Sequence, residues 1–194
     1  MTVDPRWIYG VPGTNIAEQV ALQLGADDES GAEVDWARLR EGAVQIIAEE
    51  LADGACLVAL FMVQEADGNI ALARASARFD AELVAGVGDL YEEALVEHRD
   101  EQFRASLQLI ETRIGVALQV QRLLVIGEQT LDYHGYLIPS PDGGLVVECV
   151  SSPSGWSGLW GPSLESMVLS LDRSDEVPDG RIELVAFVLD GERR

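Results

Sequence analysis

Lysine is absent from this chain: all thirteen basic residues are arginine, set against 34 carboxylates, for a formal charge of −21. Without lysine, Schiff-base chemistry on a side-chain amine is excluded, and Gly10-x-x-Gly13 cannot grow into a phosphate-cradling P-loop. Histidine and cysteine are scarce, with two of each. His98 and His134 lie far apart and no cysteine cluster exists, so zinc-ligand spacing is missing, and Asp27-Asp28-Glu29 lacks the spaced ligands of a calcium loop. No metal and no cofactor is therefore expected. Cys56 and Cys149 each sit inside an apolar run and read as buried, reduced thiols. Long apolar runs are missing too; none approaches the roughly 18 residues that a membrane-spanning helix requires. The first residues, Met1 to Trp7, lack a basic segment followed by an apolar one, which predicts no signal peptide and a cytoplasmic protein.

The acidity is the strongest compositional fact. A surface of this sign repels phosphate, so nucleic acid and anionic membranes are poor partners, whereas a basic protein would be drawn to it. Solvation alone also accounts for such a charge. The hydrophobic fraction of 47% is ample for a core. An arginine-only, Ala-, Gly-, Val- and Asp-rich composition suggests a GC-rich genome.

Periodicity predicts a single α+β domain: an antiparallel meander sheet of six or seven strands, with helices at 36–52, 90–102 and 162–171 packed mainly on one face. Trp36, Leu39, Ala43, Ile46, Ile47 and Leu51 form a helical stripe, with Asp35 as N-cap, Val34 and Leu39 as a hydrophobic staple, and Asp53-Gly54 as the stop. Residues 55–63 are almost wholly apolar, as in a central strand. In 70–79 the polar Arg74, Ser76 and Arg78 alternate with alanines, which predicts a strand with one exposed face. Residues 16–24 fit either element and are assigned to strand. A helix beginning near Asp89 exposes an acidic face over 89–101. Strands follow at 106–112, 116–126, 130–139 and 144–153, with Pro139 to Gly144 as a hairpin connection. The acidic stretch 25–31 is a surface loop, Ser151 to Gly161 a Gly/Ser loop with two tryptophans, and 181–189 a last strand.

This succession of elements over residues 35–172 resembles the PsbP-like fold shared by the Ran-binding Mog protein and the bacterial DcrB-like proteins. More narrowly it is similar to small actinobacterial proteins with a Tyr-x-x-Pro-x-Pro-x-Gly-Gly-Leu-x-Val hairpin, here Tyr136, Pro139, Pro141, Gly143, Gly144, Leu145 and Val147, followed by Ser151-Ser152-Pro153. The resemblance carries no catalytic residues. It implies a protein-binding role, chaperones for secreted effectors among them.

Two constellations remain. Asp132, His134 and Tyr136 alternate on one strand, which sets a carboxylate, an imidazole and a phenol in a row at about 7 Å steps. Such a row could serve acid–base chemistry or small-ligand binding, and it is also what a polar strand face looks like. Gly155-Trp156-Ser157-Gly158 is not a nucleophile elbow. Trp156 and Trp160, in a glycine-rich loop, are the candidate partner-binding residues; the plainer alternative is that they close the core. The reading is a non-enzymatic adaptor or chaperone-like module that binds a basic or partly unfolded protein. An acidic immunity protein against a basic toxin is an alternative with the same charge logic. Oligomeric state is not legible.

Overall fold

The computed structural model describes residues 7–24, 36–64, 70–97, 105–152, 157–169 and 171. Seven strands make one antiparallel sheet in two runs. The first is β1 (Trp7–Gly10), β2 (Leu57–Gln64) and β3 (Ile70–Asp80). The second is β4 (Ser106–Thr112), β5 (Gly115–Ile126), β6 (Gln129–Ile138) and β7 (Gly144–Ser152). The last strand returns to the middle and pairs with β3, so the order is β1-β2-β3-β7-β6-β5-β4. The expected meander is thus two meanders, joined by a crossover from the sheet centre to its far edge. Four helices complete the described chain: α1 (Ile16–Leu24), α2 (Trp36–Ala52), α3 (Val87–Glu97) and α4 (Ser157–Leu169).

Register decides which face each helix covers. Val58 stands opposite Ser76, Ser76 opposite Glu148, Glu148 opposite Gly135, and Gly135 opposite Val120, so these residues share a face. Val58 and Leu60 on that face pack with Ile47 of α2 and Val20 of α1, and Leu118 and Val120 pack with Ala94 of α3. The opposite face presents Ala59, Phe61, Ala73, Ala75, Ala77, Tyr136, Val147 and Cys149 to Trp160, Leu164, Met167 and Val168 of α4. Three helices therefore cover one face and α4 the other.

Three expectations need correction. Residues 16–24 form a helix, because Ile16, Val20 and Leu24 then share a face toward Ile8 and Ile47, while Leu22, which a strand would bury beside them, is left 77% exposed. Asn15 caps it, accepting the Glu18 amide at 3.4 Å. Second, the Arg74 and Arg78 face of β3 is not bare: the two side chains stay partly exposed, at 45% and 39%, but Glu50 of α2 pairs with both, at 2.8 and 2.7 Å, while the alanine side of β3 lies beneath α4. Alanine is what lets that helix approach. Third, α4 begins at Ser157 rather than Pro162, which is its sixth residue. α3 likewise starts at Val87 rather than near Asp89, and Leu95 on it is exposed. Asp35, the loop 25–31, Trp156 and the strand 181–189 lie outside the described residues. Among the described residues no helix is long and apolar enough to cross a membrane.

Candidate functional site

Asp132, His134 and Tyr136 do share one face of β6, but the face is the one that α4 covers. An Asp132 carboxylate oxygen accepts the Ser157 backbone N–H at 3.3 Å, at the first residue of α4, where a negative charge complements the unpaired amides. The helix therefore starts where a side chain from the sheet caps it. The His134 ring meets the Trp160 indole edge-on at 4.7 Å between centroids. Tyr136 is buried, and its hydroxyl accepts the Gln119 side-chain N–H at 3.0 Å.

The β6–β7 register adds one residue that spacing along the chain could not reveal. Cys149 stands directly opposite His134, so a carboxylate, an imidazole and a thiol lie near one another on one face. Their state argues against a nucleophile. Burial raises the Cys149 thiol well above its ordinary range, and burial, only partly offset by the charge of Asp132, lowers the His134 imidazole below its usual 6.5. A neutral thiol beside a neutral imidazole, roofed by Trp160, gives no thiolate at neutral pH. Burial pushes the Tyr136 phenol up to about 12, despite the bond from Gln119. Cys56 is similar: burial carries it to about 11 while its S–H donates to the Ala77 carbonyl at 2.8 Å.

Trp160 is 1% exposed and belongs to the core against β6, so it is not at the surface. Trp156 falls outside the described residues. Beside α4, the crevice between the helix and the alanines of β2 and β3 is apolar and of about 30 Å³, the size of a water rather than of a substrate. No group of three or more metal-ligating side chains occurs among the described residues. On α3, Glu92, Glu93 and Glu97 are exposed as the acidic face requires.

The exposed feature that periodicity missed is an arm. Among the described residues, β4 accompanies β5 as far as Ser106 opposite Gln121, and β7 accompanies β6 as far as Ser151 opposite Asp132. Residues 122–131 thus continue as a two-stranded hairpin that turns at Gly127 and Glu128. Leu123, Val125 and Ile126 are 37%, 55% and 62% exposed on it. Its root is locked. The Arg122 guanidinium lies 5.0 Å from the centre of the Tyr133 ring, and the Tyr133 hydroxyl donates to a Glu148 oxygen at 2.7 Å. Burial, and then Glu148, raise that phenol. Gly135 makes this possible, since a Cβ there would meet the Tyr133 hydroxyl at 2.6 Å. Half of the sequence signal was available: the strand expected at 116–126 outruns the one expected at 106–112, whereas 130–139 and 144–153 are equally long.

No known family matches the chain, and no curated protein matches it. Among solved structures, the fold is similar to PA94 from Pseudomonas aeruginosa, a protein of unknown function, with a TM-score of 0.44 at 14% identity over 63% of this chain and 83% of that one.

Proposed function

We propose that this chain is a cytoplasmic, non-enzymatic protein-binding module whose partner is a basic or partly unfolded protein. The observation that carries the reading is the arm of residues 122–131, which presents Leu123, Val125 and Ile126 to solvent while its root is fastened to the sheet. Exposed apolar side chains on a rigid projection lose little entropy on docking and bury area when they do. The arm carries only Arg122 and Glu128 as charges, within a chain of −21. An apolar contact rimmed by distant acidic surface suits a partner with apolar anchors and basic flanks. The resemblance of residues 35–172 to protein-binding PsbP-like members points the same way. The polar row points elsewhere than catalysis: its groups cap α4, meet Trp160 edge-on and pair with Gln119.

Affinity capture from native lysate should recover a stoichiometric protein of basic isoelectric point with the full chain and lose it with Val125→Ser/Ile126→Ser, and the complex should weaken as salt rises. Recovery of nothing stoichiometric, or of a partner that survives the double substitution, overturns the reading.

A further inference from the structure

Helix α4 begins in a stretch that makes a poor helix by itself. Ser157-Gly158-Leu159-Trp160-Gly161-Pro162 places two glycines and a proline in its first six residues. Gly161 is the first residue whose N–H can reach a carbonyl one turn back, that of Ser157, and Pro162 has no N–H to offer Gly158. Within this opening turn, therefore, a single intrahelical backbone bond can form. Beyond the proline the helix is anchored differently. The Ser163 hydroxyl accepts the Trp7 indole N–H at 2.9 Å, and Leu164, Met167 and Val168 are buried in the core. The opening turn is held from β6, by the Asp132 carboxylate on the Ser157 amide and by His134 against Trp160. The Cε1 atom of His134 also lies close beneath Gly161, 3.6 Å from where a Cβ would stand.

We infer that residues 157–161 are an acid-released turn, closed on the sheet while His134 is neutral and freed from it when His134 takes up a proton.

The charges around the imidazole set this direction. A proton on His134 places a cation beneath the N-terminal end of α4, where unpaired amides already carry positive charge. It also offers Asp132, two residues away on the same strand face, a cationic partner that competes with the Ser157 amide. Burial lowers His134 below its usual 6.5, and the charge of Asp132 offsets this only in part. A released imidazole regains water and its usual value. The closed turn is thus favoured above 6.5 and loses that advantage as pH falls below it. The other groups around His134 do not reverse the sign. Gln121 stands opposite it on β5 and is neutral; Cys149 stands opposite it on β7, and burial keeps that thiol protonated. Arg74 of β3 exerts its field at Cys149, and Glu165 of α4 exerts its own at Tyr136. The link 153–156 from β7 to α4 contains no titratable side chain. Release carries Trp160, 1% exposed when the turn is closed, into solvent. The device needs no partner and stands whether or not the arm binds one.

Hydrogen exchange of the full chain, followed by NMR and corrected for intrinsic rates, tests the turn between about pH 7.5 and about pH 5.5. Protection of the Gly161 amide and the Trp160 indole N–H should fall roughly three- to tenfold, tenfold being the ceiling one unit below 6.5. The Trp7 indole N–H, bonded to Ser163 beyond the proline, should keep its protection. In His134→Gln both probes of the turn should keep their neutral-pH protection at either pH. Unchanged protection in the parent chain overturns the inference, as does an equal loss at Trp7, which reports global unfolding. A loss that persists in His134→Gln overturns it too. Should that variant fail to fold, the Cε1 proton of His134 is titrated in the parent chain, and a midpoint at or above 6.5 overturns the inference.

Discussion

At the scale of single residues, the row on β6 has a consequence for stability. His134 is harder to protonate in the folded chain than in the unfolded one, because burial disfavours its cation more than Asp132 favours it. Above its ordinary value of 6.5 the difference contributes nothing. As pH falls through that value, the unfolded chain takes up a proton that the folded chain resists, and stability is lost. Thermal unfolding at pH 7.5 and pH 5.5 should show a drop in midpoint for the parent chain and a smaller drop for His134→Gln; equal drops would refute the assignment. Next to it, the Ser151 hydroxyl is buried and has no hydrogen-bond partner among the described residues, and Ser151 stands opposite Asp132. Ser151→Ala removes a desolvated polar group that makes no bond, so it should be neutral or stabilise by up to about 1 kcal/mol in denaturant unfolding. A loss of more than that would place an unrecognised bond on the hydroxyl.

At the scale of elements, what the sequence made legible were those whose partners are local. Helix α2 follows from an apolar stripe and an Asp-Gly stop, and β2–β3 and β6–β7 follow from alternation between turn residues. The β6–β7 turn shows how strict this local code is. Gly143 has φ of +107°, donates its N–H to the Ser140 carbonyl at 3.1 Å, and leaves no room for a Cβ, which would lie 3.0 Å from the Ala81 Cα and the Asp80 carbonyl oxygen. Gly143→Ala should therefore cost about 1–3 kcal/mol, read from urea midpoints; a neutral result would mean that the β3–α3 segment gives way freely. Elements set by distant partners were not legible. α1 satisfies both periods on paper, and only Ile8 and Ile47 favour the helix. α4 starts at Ser157 because Asp132, 25 positions earlier, receives its amide. The polar row looked like a wet face because no pattern along β6 announces that a helix will cross it.

At the scale of the whole molecule, charge governs. At −21 the compact state carries self-repulsion that the expanded chain relieves, so screening stabilises folding. Raising salt from about 10 mM to about 200 mM shortens the screening length from about 30 Å to under 10 Å, and the unfolding midpoint should rise. A flat or falling midpoint would show that the carboxylates are spaced well enough not to matter. The sequence by itself determined the α+β class, the hairpins, the Schiff-base and P-loop chemistries that a lysine-free chain cannot perform, and the sign of its charge. These are properties of composition and of neighbours within a few residues, where the physical forces act along the chain. Tertiary structure alone decided that β7 returns to the sheet centre, that α4 roofs Asp132, His134 and Tyr136, that Trp160 is core, and that Leu123, Val125 and Ile126 are exposed on the hairpin of residues 122–131. Exposure is a property of what else packs nearby, and the packing partners of each strand lie tens of residues away in the chain.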